Sequence, residues 1–211
     1  MTAVATAGSS RTTPKPGPAK TPWDKFVNLL VRWRVRITTI VFVSLIAEDV
    51  VEGVKPHALT NMHDIKTVVG CGLVMAGLVL RSWAAGMLQK DAQLTTNGPY
   101  GIIRNPLYVG SFLLMIGFCT LVGDAENIWF VLGPLLALYV IRVLREERTL
   151  SRIFGDQWHS YVRSVPRFFP RRLPRFSFAD WNLSQWLGNR EFRAVSAVFA
   201  GLIALEAWRL Y

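Results

Sequence analysis

A membrane bundle built entirely of α-helices, with about five transmembrane helices, is the fold this sequence predicts. Three observations lead there. Of the 211 residues, 51% are hydrophobic, and the mean hydropathy is positive at +0.29. Charged residues gather in blocks between apolar stretches instead of mixing through the chain. Those stretches approach the length that crosses a hydrocarbon core of ~30 Å at a rise of about 1.5 Å per residue.

Residues 1–22 are rich in Ala, Thr, Ser, Pro and Gly. They lack the apolar run of a signal peptide and read as a disordered tail. Trp23 to Arg36 mixes apolar with basic residues and reads as a segment lying on the membrane surface. The first span is expected over Ile37 to Val54, where Glu48, Asp49 and Glu52 interrupt it. At the outer interface these acids are solvated; inside the bundle they form a costly buried cluster. A polar link, Lys55 to Lys66, leads to a second span, Thr67 to Leu88. Its Gly70, Gly72, Gly77 and Gly86 favour close helix–helix contact. Arg81 lies near the end of that span, where it either snorkels to the surface or faces a polar cavity. The loop Gln89 to Arg104 precedes a third span, Pro106 to Val122. An acidic turn, Gly123 to Asn127, leads to the fourth, Ile128 to Leu144. A long basic stretch broken by Pro166, Pro170 and Pro174 follows, and the last span is Ala194 to Trp208. The chain thus divides into a tail (1–22), a core (23–170) and a C-terminal extension with an extra span (171–211).

The net charge is +10. Nucleic-acid binding is the usual explanation for such a balance, but here the basic residues flank apolar spans, as the positive-inside rule requires. Arg11, Lys15, Lys20, Lys25, Arg32, Arg34 and Arg36 precede the first span, and ten arginines from Arg145 to Arg193 follow the fourth. The other face has only Lys55, Lys66 and Arg209. Five spans then put the N-terminus in the cytoplasm and the C-terminus outside. The Gln89–Arg104 loop and the Arg142–Glu147 cluster fall together on the cytoplasmic face. Cys71 and Cys119 sit inside apolar stretches and suit packing better than metal or disulfide chemistry. The spacing of His57 and His63 matches no common metal site, so no metal is expected.

Two polar segments carry the chemistry. Asn105-Pro106 is a helix start, with Asn as N-cap and Pro at the first helical position. The same helix end offers free N–H groups and partial positive charge to a carboxylate, with Arg104 beside it. Gly98-Pro99 turns the chain so that Tyr100 points to that place. At the end of the fourth span, Arg142 and Glu146 are four apart and share a face, while Glu147 lies one step round. They form either a solvated ion pair or a site, with Glu146 for a cationic or hydroxyl-bearing ligand and Arg142, one turn deeper, for an anionic substrate. A ligand with a carboxylate at one end and cationic and ribose groups elsewhere suits both segments; S-adenosylmethionine is one. Arg145, Arg148 and Arg152 suit anionic lipid headgroups. Phe154-Gly155 reads as a helix end, and Trp158, Tyr161, Phe168 and Phe169 as an interfacial aromatic belt.

Leu94-Thr95-Thr96-Asn97-Gly98-Pro99-Tyr100, followed by Arg104-Asn105-Pro106-Leu107-Tyr108-Val109-Gly110, resembles a signature of the isoprenylcysteine carboxyl methyltransferase and phospholipid methyltransferase superfamily. So does Arg142, Glu146-Glu147, Leu150, Phe154-Gly155, Tyr161 and Val165-Pro166. The resemblance covers about Arg81 to Pro170. It implies an integral membrane methyltransferase with a cytoplasmic cofactor pocket for S-adenosylmethionine, lined by Ala92, Gln93, Leu94, Thr95, Tyr100, Arg104, Asn105, Pro106, Leu107, Tyr108 and Glu146. Arg142 would meet the substrate. An amine acceptor would need a base, for which the chemistry of the side chains offers Glu147 and Tyr108; a carboxylate acceptor would need none. The family usually has His where this chain has Asn105, which cannot titrate near neutrality. The expected acceptor is a lipid or another hydrophobic molecule, and membrane lipids are the expected partners. Two other classes remain open: a sterol-type reductase using NADPH, whose turn is related but which commonly has an acid where Ser111 stands, and a basic membrane scaffold without catalysis. The oligomeric state is not legible.

Overall fold

The computed structural model describes residues 40, 43–89, 93–171 and 180–210. The expected tail, the surface segment Trp23–Arg36, the start of the first span and Ala92 lie outside these. The described residues of the first span are helical at 43–51. Its acids divide: Glu48 and Glu52 are exposed, whereas Asp49 is buried and accepts a hydrogen bond from Asn127 Nδ2 at 2.8 Å. The acids therefore form neither a solvated group nor a cluster.

Helix α1, Ile65–Met87, starts at Asp64, whose carboxylate accepts from the Lys66 N–H and the Thr67 hydroxyl. Its 23 residues span ~35 Å at helical rise. A 3-10 turn, Gly98–Gly101, leads to α2, Pro106–Val122. Gly98 has φ +56, and a Cβ there would lie 2.2 Å from Met87 Sδ, so both backbone and space require glycine. Pro106 opens α2 and Gly123, left-handed at φ +92, closes it. Asp124 caps α3, Ala125–Phe130. The chain continues through a π-helical turn, Val131–Leu135, into α4, Leu136–Ser164. Pro134 has no N–H to donate back along the helix, and the wider turn accommodates that loss. Helices α5, Leu183–Gly188, and α6, Glu191–Leu210, complete the described chain. Among the described residues there are no strands.

Gly155 does not end its helix. With φ +49 and ψ −120 it kinks α4, and helix resumes to Ser164. The expected stop is thus a bend, made where only glycine adopts the backbone at little cost.

Helices α1 and α2 run antiparallel and touch through glycines. A Cβ on Gly77 would meet the Gly110 carbonyl at 2.7 Å, and one on Gly70 would meet the Gly117 carbonyl at 3.1 Å. Each pair is spaced two helical turns from the other, so smooth faces meet over that length. A Cβ on Gly72 would face open space, and Gly86 makes room for the Trp181 indole instead of a helix. Val74, Leu121, Val122, Val198 and Leu205 fill the space between α1, α2 and α6. Gly77→Val is expected to lower stability by about 1–3 kcal/mol, because the new methyls meet backbone that cannot move aside. Gly72→Val, facing open space, serves as the control in thermal unfolding.

Among the described residues, two helical runs are long and apolar enough to cross a membrane: Ile65–Met87 and Glu126–Ser164. Pro106–Val122 is apolar but shorter. Ile65, Val68, Val69, Met75 and Val79 form an exposed apolar stripe along α1, the kind of surface a lipid environment covers.

Candidate active site

The turn after α1 and one face of α4 enclose a single cavity with about 820 Å³ of unfilled space, its open mouth included. From the turn come Gln93, Leu94, Thr95, Tyr100, Arg104, Asn105, Pro106, Leu107 and Tyr108; from α4 come Glu146, Leu150, Phe154, Trp158 and Tyr161. Every described residue that was expected to line a cofactor pocket is therefore in this one wall. Leu88 and Gln89 close the end nearest α1.

The two sides are joined by hydrogen bonds. The Tyr108 hydroxyl donates to Glu146 Oε2 at 2.7 Å, and the Tyr161 hydroxyl donates to the Tyr100 carbonyl at 2.7 Å. The Arg104 N–H donates to the Pro166 carbonyl at 2.9 Å. Adjacent acids take different parts because a helix turns about 100° per residue. Glu146 stays exposed at the cavity, with Arg142 Nε 4.0 Å away. Glu147 turns inward and is 8% exposed. It receives Arg167 Nη2 at 2.7 Å, Arg104 Nη1 at 3.4 Å and Asn105 Nδ2 at 3.2 Å. Neither Glu147 nor Arg142 lines the cavity wall.

Asn105 occupies the N-cap position of α2, yet its side chain makes no capping bond. The amide instead donates to Glu147 and to the Arg167 carbonyl at 3.4 Å. A buried carboxylate is the stronger acceptor, so tertiary contact overrides local preference. Carried with it, the first turn of α2 is left without a side-chain cap at the edge of the cavity.

Electrostatics sharpen this picture. Burial pushes the Tyr100 phenol well above its ordinary range, with the neighbouring Tyr161 and Glu146 adding to the effect. Tyr100 is thus a neutral donor at physiological pH. Burial lowers the Arg104 guanidinium, while Glu147 acts against that shift. The hydrogen bond to Glu147 raises Arg167. Among the buried side-chain atoms with no hydrogen-bond partner are the Tyr100 hydroxyl and Arg104 Nε. Such unmet donors are costly, and both belong to residues of the cavity wall.

Sequence reasoning missed the aromatic wall. Trp158 and Tyr161 are buried, packed with Leu94, Leu150, Phe154 and Val165, and do not form an interfacial belt; Phe169 alone of the four expected belt residues is strongly exposed. The helical spacing of Leu150, Phe154, Trp158, Tyr161 and Val165 was a readable signal. Gly155 hides it, because a glycine directly after Phe154 is also the signal of a helix end. Arg167, the tightest partner of Glu147, carried no local signal. Among the described residues no group of three His, Cys, Asp or Glu side chains is close enough to hold a metal ion.

A helical protein with a cavity of mixed polar and apolar lining between a turn and a charged helix is what the fold defines, and comparison with known proteins defines the family. The phospholipid methyltransferase family model matches residues 65–157. The nickel-cobalt-cadmium resistance protein NccN of Alcaligenes xylosoxydans xylosoxydans is 32% identical over 72% of this chain and 70% of its own length. The cobalt-zinc-cadmium resistance protein CzcN of Cupriavidus metallidurans is 32% identical over 85% of this chain and 81% of its own. The protein-S-isoprenylcysteine O-methyltransferase of Schizosaccharomyces pombe is 32% identical over 46% of this chain and 42% of its own. No solved structure gives a significant match. The chain belongs to the isoprenylcysteine carboxyl methyltransferase and phospholipid methyltransferase superfamily. That membership and the two long apolar helices make it a membrane protein.

Proposed function

We propose that this protein transfers the methyl group of S-adenosylmethionine to a lipid-like or otherwise hydrophobic acceptor at the cytoplasmic face of a membrane it crosses several times. The observation that carries this reading is the joint wall: the turn before α2 and Glu146 of α4 meet round one cavity, bridged by Tyr108.

The donor set fits the cofactor. Arg104, the partnerless Tyr100 hydroxyl and the uncapped start of α2 would take its carboxylate. Glu146 would take hydroxyl or ammonium groups, and Leu94, Leu150, Phe154 and Trp158 would cover the adenine. S-adenosylmethionine supplies an electrophilic methyl group, so the protein's task is to align the reactants and exclude water. Arg142 stands beside Glu146, half-exposed and outside the cavity wall. It is placed to pair with an anionic group on an acceptor arriving from the lipid. Of the two candidate bases, Tyr108 lines the cavity, whereas Glu147 is engaged by two arginines and acts by holding the turn in place.

The test is direct. Purified protein in detergent is titrated with S-adenosylmethionine and, separately, with NADPH, then incubated with methyl-labelled cofactor and a lipid extract. Binding of S-adenosylmethionine and label in the lipid fraction are expected. Binding of NADPH alone would replace this reading with a reductase. Binding of neither would leave the scaffold.

A further inference from the structure

The methyltransferase family match ends at residue 157, and the described residues 180–210, well beyond it, contribute nothing to the cavity wall derived so far. Its contacts are nevertheless with the frame of that site. The end of α1 leaves carbonyls that no helical N–H can reach. Residues from the extension occupy several of them. The Asn182 N–H donates to the Gly86 carbonyl at 2.9 Å, and Trp181 Nε1 adds a bond to the Ser82 carbonyl, one turn back inside the helix, at 3.1 Å. Asn189 Nδ2 donates to Ala85 at 2.8 Å and to Leu88 at 3.0 Å. Leu88 is a wall residue.

Glu191, the first residue of α6, is 3% exposed. It accepts from Arg81 of α1 with both oxygens, at 2.8 and 2.9 Å. The remaining arm of Arg81 donates to Ser111 Oγ at 2.5 Å and to the Leu107 carbonyl at 3.4 Å. Ser111 Oγ in turn donates to the same carbonyl at 2.9 Å. Gly110 permits this crossing, since a Cβ there would lie 2.6 Å from Arg81 Cγ. Leu107 lies between Pro106 and Tyr108 in the cavity wall. Arg190, immediately before Glu191, is held in a left-handed conformation at φ +58, a state that non-glycine residues adopt at a cost. The start of α6 is therefore closely placed.

We infer that Glu191 is a positioning residue: through Arg81 and Ser111 it fixes the first turn of α2, and so makes the C-terminal extension a working part of the cavity. An ionised group of this kind inside a helix bundle is expensive and calls for a role. A carboxylate at this point orients the guanidinium in one plane, and in that plane its remaining arm reaches both Ser111 Oγ and the Leu107 carbonyl. The proposal rests on the cofactor reading for its second measurement only.

The variants are Glu191→Gln, which keeps the size and loses the charge, and Ser111→Ala, which keeps the ion pair and removes the hydroxyl link, leaving only the long 3.4 Å bond from Arg81 to the Leu107 carbonyl. The first measurement is hydrogen exchange in the protein without added ligand. Amides of residues 105–111 should exchange faster in both variants, while residues 112–122 keep their protection. Equal protection of 105–111 in either folded variant overturns the inference. If Glu191→Gln does not fold, Ser111→Ala decides alone. The second measurement is affinity for S-adenosylmethionine, expected to fall about tenfold in each variant. Faster exchange with wild-type affinity would mean a purely structural contact and would also overturn it. No binding by the wild-type protein would refute the proposed function and leave the exchange result standing by itself.

Discussion

Glu146→Ala is expected to weaken S-adenosylmethionine binding by about 10- to 100-fold, the usual effect of losing hydrogen bonds to a charged group, while thermal unfolding stays where it was. The reason lies in placement. Glu146 is exposed at the cavity, accepts from Tyr108 at 2.7 Å and stands 4.0 Å from Arg142. Exposed ion pairs contribute little to stability, so folding should not register the change. Tyr108→Phe removes the bridge but leaves the carboxylate, and a smaller loss is expected from it. Calorimetry settles both. An affinity unchanged in Glu146→Ala would remove this residue from the site and break the link between α4 and the cofactor.

For Glu147→Ala the expected outcome is the reverse: a protein destabilised by about 2–3 kcal/mol. Breaking a buried ion pair typically costs more, but Arg167 is 40% exposed and water offsets part of its loss. For a chain of this size the melting temperature should fall by roughly 4–12 °C. Arg104 bears most of the change. Its side chain is 10% exposed and burial already disfavours its charge. Without Glu147 it keeps the desolvation and loses the compensation. Asn105 loses its acceptor as well. Glu147→Gln should fall between the two, since it retains volume and one acceptor. If Glu147→Gln instead melted like the parent and abolished turnover, Glu147 would be a base and not a clamp.

Much of the candidate wall was legible because its signals are local. Asn-Pro marks a helix start within two residues. Arg142 and Glu146 share a face because they are four apart. Tyr100 follows a Gly-Pro turn that bends the chain inward. The illegible parts required partners distant in sequence. Glu147 stands next to Glu146, and nothing in the string says that one faces a cavity and the other two arginines. Arg167 is 20 residues from Glu147, and Arg81 is 110 residues from Glu191. Asn105 illustrates the conflict well: its propensity names it a cap, and a carboxylate on another helix takes the side chain instead.

By itself, the sequence determined an all-helical chain, the order of its apolar stretches, and the two polar segments that border one site. These follow from composition, periodicity and end signals, which are energies of a few neighbouring residues. The tertiary structure alone decided how far each helix is rotated, and hence which charge meets which. It made Gly155 a kink, turned Trp158 and Tyr161 into the cavity and set Glu191 against Arg81. A rotation of one residue moves a side chain by about 100°, and only packing against a second helix chooses among such rotations.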